Sequence, residues 1–154
     1  MKLPKNEKAF TLIELLLVVA IIATLAVVVF VALNPAQRLK DSKDARRTSD
    51  IDTILSAVHE YIIDNKGALP TSSPQAEVQL GTSASGCAIS TGGCSAVAAA
   101  CYDMSTLLNK YLKSMPIDPT GTAAGTKYTI TVDANNIVTV KACAADTGTI
   151  VVSR

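Results

Sequence analysis

Residues 8–33 read KAFTLIELLLVVAIIATLAVVVFVAL, and this stretch decides how the rest of the chain is organised. From Leu15 to Leu33 no charged residue interrupts it. As an α-helix those 19 residues would be about 28 Å long at 1.5 Å per residue, close to the hydrocarbon thickness of one bilayer. Ahead of it lie Lys2, Lys5 and Lys8 against Glu7 alone. A basic flank stays on the cytoplasmic side, so the C-terminal bulk is expected outside. A removable secretory signal has a shorter apolar core, about 7–15 residues, followed by a small-x-small cleavage site. Around Ala32–Leu33–Asn34–Pro35–Ala36 there is no such site. The segment therefore reads as a helix that stays with the chain.

A plain membrane anchor leaves Glu14 unexplained. An ionised carboxylate costs about 2.5–3.5 kcal/mol at the middle of a membrane helix, and less near its end. No basic residue lies between Glu14 and Arg38 to offset that cost. Cleavage between Ala9 and Phe10 would create a new α-amino cation four residues before Glu14. Paired with that amine, on its own chain or a neighbour's, the carboxylate would no longer be a lone charge.

The run Lys8–Ala9–Phe10–Thr11–Leu12–Ile13–Glu14–Leu15–Leu16–Leu17–Val18 closely resembles the N-terminal signal of type IV prepilins and of type II secretion pseudopilins. The resemblance implies a prepilin peptidase/N-methyltransferase that cuts before Phe10 and methylates its nitrogen. It also implies that Glu14 meets the N-terminus of an adjacent subunit during assembly. Two departures stand out. Ala9 replaces the Gly that usually precedes the cut, and Leu15–Leu33 lacks the helix-breaking Pro of many pilins.

Downstream, Asn34–Pro35–Ala36–Gln37 has the form of a helix start, with Asn34 as cap and Pro35 at the first helical position. A kink is expected there within one continuous bent helix. Arg38 to Asp50 mixes charges of both signs and reads as a solvated or subunit-facing surface. Ile51, Ile54, Leu55, Val58, Tyr61 and Ile62 then recur at helical spacing. Asp64–Asn65–Lys66–Gly67 and Pro70 end the pattern near Lys66. His59, the single histidine, reads as an edge or surface residue.

Thr71–Ala100 is rich in Ser, Thr, Gly and Ala and reads as a loop. A short helix capped by Asp103 or Ser105 would bury Leu107, Leu108, Tyr111 and Leu112, and Met115–Pro116–Ile117–Asp118–Pro119 would end it. Three strand-like runs follow, at Tyr128–Val132, Ile137–Ala142 and Thr149–Val152. In the first, Tyr128, Ile130 and Val132 alternate with Thr129 and Thr131, as one packed and one wet face require. Asp133–Ala134–Asn135–Asn136 supplies hairpin-turn chemistry. The Pro-x-Asp-Pro turn resembles that of the major pseudopilins, where a calcium ion often sits nearby. Here only Asp133 and Asp146 follow Asp118, so no metal and no cofactor is expected.

Cys87, Cys94, Cys101 and Cys143 fall on the outer side of the apolar segment, where an even count reads as two disulfides. Four cysteines allow three pairings. Cys87–Cys94 with Cys101–Cys143 is the expected one, and the sequence leaves the others open.

A formal net charge of +1 without a basic cluster gives no specific nucleic-acid surface. No nucleophile elbow, phosphate-cradling loop or catalytic His/acid arrangement is present, so no enzyme is expected. The expected fold is α+β: a long N-terminal helix, its second half packed on a small antiparallel sheet of about three strands. The expected divisions are a leader (1–9), a transmembrane or filament-core helix (10–33), an amphipathic helix (34–66) and a globular head (67–154). The resemblance implies a filament subunit whose partners are copies of itself, other pilins and an inner-membrane assembly platform. It would reside in the cytoplasmic membrane as a precursor, then in an extracellular or cell-surface filament. A pseudopilin of a type II secretion system is the alternative within the family, and a monomeric membrane-anchored binding module the alternative outside it.

Overall fold

The computed structural model describes residues 10–72 and 75–154. The chain divides into two units, Met1–Arg38 and Leu39–Arg154. The first is dominated by helix α1, Leu12–Leu33, in which no residue is buried. It ends at Asn34, which takes the left-handed conformation (φ 40°, ψ 69°) and donates its N–H to the Val31 carbonyl. Pro35 opens helix α2, Pro35–Asp64. The expected kink is this one residue, with helix on both sides of it. Proline has no N–H to continue the ladder and disfavours right-handed helix in the residue before it. Asparagine tolerates the left-handed alternative. The Asn34 carbonyl then accepts from Gln37 and Arg38, starting the new helix.

In the second unit, Ile51, Ile54, Leu55 and Val58 of α2 are all buried. They join Tyr128, Ile130, Val132, Val138, Val140 and Ala142 in one apolar cluster with Leu80, Met104 and Leu108. Helix α2 ends on a paired cap. Lys66 (φ 57°) donates to the Ile63 carbonyl and Gly67 (φ 91°) to that of Ile62, so the last carbonyls are satisfied.

The sheet has four strands, β1 (Gln75–Gln79), β2 (Tyr128–Val132), β3 (Val138–Ala142) and β4 (Ile150–Ser153), all antiparallel and in that spatial order. The fold is α+β as expected, with one strand more than the sequence indicated. Gln-Ala-Glu-Val-Gln has little β propensity. It becomes a strand because the free edge of β2 takes it, Val78 opposite Ile130, with an irregularity between Gln75 and Val78. The short helix expected after Asp103 is instead a run of turns. Leu108 N–H reaches Met104 and Leu112 N–H reaches Leu108, while Asp103 accepts the Ser105 N–H. Leu108 is buried, but the helical bonds do not propagate.

The second face of β2 is not wet either. Thr129 is fully buried. Its hydroxyl donates to Glu77 at 2.7 Å and lies 3.4 Å from Cys94 Sγ, under the cysteine-bearing loop. One face of the sheet meets α2 and the other meets this loop.

Candidate functional site

Thr11 and Glu14 begin α1 with a reciprocal cap. The Thr11 hydroxyl accepts the Glu14 N–H at 3.3 Å. One carboxylate oxygen of Glu14 accepts both the Thr11 N–H, at 2.9 Å, and the Thr11 hydroxyl, at 2.8 Å. Thr-x-x-Glu ahead of an apolar run is a capping-box signature that the sequence reading passed over. Glu14 thus has a local partner, at the helix end where negative charge is favoured. Phe10 lies just outside the helix and is 86% exposed. Ala9, the other side of the expected cleavage, and the basic leader lie outside the described residues. Behind the cap, α1 presents an exposed apolar surface from Leu12 to Leu33, long and apolar enough to cross a membrane.

The disulfides differ from the expected pairing. Cys87 joins Cys101, and Cys94 joins Cys143. Cys143, at the end of β3, faces the loop that covers the sheet rather than the segment before the turns. Its carbonyl accepts the Thr91 hydroxyl at 2.7 Å. Gly92 (φ 59°) packs so closely there that a Cβ would sit 2.5 Å from the Cys143 carbonyl oxygen. Glu77 lies beside Cys94 and Cys143, a grouping with metal-ligand reach. The two sulfurs are bonded to each other, and Glu77 already accepts from Thr129, Ser95 and Lys141. Those three hydrogen bonds hold the Glu77 carboxyl below its ordinary range although burial pushes it up.

Among the described residues of the second unit, a heavily bonded polar cluster is centred on Arg47, which is 1% exposed. Its Nε donates to Asp118 Oδ2 at 2.6 Å and its Nη2 to Asp118 Oδ1 at 3.3 Å. Nη1 reaches Asp44 Oδ1 and Asp146 Oδ2, each at 2.8 Å. Asp44 also accepts the N–H groups of Asp146 and Thr147 and the Thr147 hydroxyl. One guanidinium therefore ties α2 to the Pro-x-Asp-Pro turn and to the loop before β4. Burial pushes the Asp44 carboxyl up, but the bonds from Thr147, Asp146 and Arg47 outweigh it and hold the group at about 2. Asp118 is likewise pushed up by burial and pulled below its usual value by Arg47 and Thr120. The hydrogen bond to Asp118, ahead of the opposing burial, raises Arg47 above its ordinary value. Beside this clamp the buried Tyr128 donates its hydroxyl to Asp50 at 2.7 Å.

The charged run that reads as a wet face thus has two buried members, Asp44 and Arg47. Counting back from Ile51 by four and seven places both on the apolar stripe, a signal present in the sequence. Asp118 and Asp146 converge on a guanidinium. Asp133 instead closes the β2–β3 turn, accepting the N–H groups of Asn135 and Ile137 at 2.8 Å each.

Residues 4–30 match the family model described as "Prokaryotic N-terminal methylation motif". No curated protein and no solved structure matches the chain. The proteins that carry this motif are structural rather than enzymatic, and the motif together with the apolar α1 fits membrane anchoring before entry into a filament. The chain carries the N-terminal signal of the type IV pilin and pseudopilin family.

Proposed function

We propose that the chain is a non-enzymatic structural subunit of an extracellular type IV pilus. It is cut between Ala9 and Phe10, methylated on the Phe10 nitrogen, and polymerised through α1. The observation that carries this reading is the helix itself: 22 residues without one buried side chain, most of them within the match to a methylation motif. Such an apolar surface requires a covering, first lipid and then neighbouring copies of the same helix. Removal of the leader brings a cationic terminus within one turn of Glu14, where it competes with the Thr11 cap. In this reading Glu14 exchanges a local hydrogen bond for a salt bridge to an incoming subunit's amine.

The test is intact-mass analysis of sheared surface filaments. The expected species begins at methylated Phe10. A precursor found only in membranes, uncut and never polymerised, would support a monomeric anchored module instead. Recovery of the mature chain only with a secretion apparatus would support a pseudopilin. Charge and capping separate with Glu14→Gln, whose amide oxygen still accepts from Thr11. We expect processing and near-absent filaments, as for Glu14→Ala. Normal filament yield from the Gln variant would reduce Glu14 to a helix cap.

A further inference from the structure

On the solvent side of α2 lies an open groove of about 590 Å³, floored by Ala45, Ser49, Thr53 and Ser56 and edged by Tyr111 and Leu112. Its acidic members are Asp52 and Glu60, both exposed. Neither is in an ion pair among the described residues. The same helix carries Lys40 and Lys43, also outside any ion pair there, and Arg46, whose contact to Asp50 is 3.7 Å with 61% of the side chain exposed. One helix therefore carries a groove with two carboxylates outside any ion pair among the described residues. A few turns before it come two lysines, also outside any ion pair there, and an arginine held only by a long, exposed contact to Asp50.

We infer that the groove receives the Lys40–Arg46 segment of a second copy of this chain. This rests on the filament reading above, in which every copy enters from one membrane and all α2 helices run parallel. Asp52 lies 12 positions after Lys40 and Glu60 lies 14 after Arg46. A single displacement of about 20 Å, at 1.5 Å per residue, then sets both acids against basic residues and Lys43 against Ser56. At about 100° per residue Asp52 points about 120° from Lys40 and Glu60 about 40° from Arg46, and the two sets sit about 20 Å apart along the helix. Donor and acceptor surfaces are thus different patches. Such a head-to-tail contact repeats into an open polymer and does not close as a dimer. The small side chains on the groove floor let the long basic stems lie along it.

Two measurements test this on assembled filaments of the full chain. Zero-length carbodiimide coupling joins an amine to a carboxylate in contact. Lys40 and Asp52 of one helix are about 18 Å apart, so a Lys40–Asp52 peptide must come from two copies, and that is the expected product. Charge reversal supplies the second arm. Asp52→Lys with Glu60→Lys is expected to lower filament yield by about tenfold or more, because like charges then face each other. Adding Lys40→Glu and Arg46→Glu restores it. Cys94–Cys143 formation and the near-ultraviolet spectrum should stay as in wild type, since all four positions are exposed. Normal filaments from the Asp52→Lys/Glu60→Lys chain, or Asp52 coupled only to a different protein, overturn the interface and leave the filament reading standing. A wild-type chain that never polymerises overturns both.

Discussion

Replacing Arg47 with Met keeps much of the side chain's volume and removes its charge and all four of its hydrogen bonds to Asp44, Asp118 and Asp146. Asp118, 2% exposed, is then left buried without its cation. Removing one partner of a buried ion pair costs about 3–5 kcal/mol. Against a domain stability of about 5–15 kcal/mol, that is a large share. In urea, with a slope of about 1.5 kcal/mol/M, the midpoint falls by about 2–3 M. The assay is urea unfolding of the detergent-solubilised chain with disulfides intact, followed by near-ultraviolet circular dichroism. Acid gives the sign. Asp44 and Asp118 have folded values depressed below the ordinary carboxylate range. Their contribution is present above the unfolded value and lost as pH falls through the folded one, which for Asp44 is about 2. The gap between wild type and Arg47→Met should therefore hold from pH 7 down to the ordinary carboxylate range and narrow below it, toward pH 2.5. Arg47→Lys retains charge without the fork and should fall between them. A loss below about 1 kcal/mol at neutral pH, or one that acid leaves unchanged, would refute the argument, since a paired buried guanidinium predicts neither.

The remaining expectations concern the loop that covers the sheet. Non-reducing peptide mapping should recover Cys87 with Cys101 and Cys94 with Cys143, and a Cys87–Cys94 peptide would contradict the fold of the loop. Opening Cys94–Cys143 by paired Ser substitutions should cost about 2–4 kcal/mol, more than opening Cys87–Cys101, whose separation is 14 residues against 49. Gly92→Ala should destabilise by about 1–3 kcal/mol, because its positive φ and the Cys143 carbonyl both resist a Cβ. Gly67→Ala, with open space around it, should cost only about 1 kcal/mol. Lys110→Ala removes an exposed contact to Asp64 and should leave the urea midpoint almost unchanged, because solvent screens a surface pair.

What the sequence discloses follows the strength of each local signal. The apolar run, the stripe from Ile51 to Val58 and the alternation in Tyr128–Val132 each repeat over many residues, so periodicity alone places them. Strand β1 carries no such repeat, and its pairing depends on an edge more than fifty residues later in the chain. Disulfide connectivity is set by where the loop lands on the sheet, which spacing does not encode. Arg47 was legible in principle from its place on the apolar stripe. Its charged neighbours in sequence outweighed that phase, and its partners Asp118 and Asp146 come from distant turns. At Glu14 the Thr-x-x-Glu spacing encodes the local cap, while the apolar surroundings encode only that the carboxylate needs a partner, which is met by the hydroxyl three residues away.

The bridge from Cys94 to Cys143 also sets how far a subunit can yield under tension. Drawn out between its ends, a chain gains at most about 3.3–3.6 Å per residue. The covalent short-cut spans a separation of 49 residues and so withholds about 160–175 Å of slack while it stays oxidised. A load that pulls the head apart must therefore stop early, with β2 and β3 still inside a closed covalent ring, and the same strands remain at hand to re-form when the load is released.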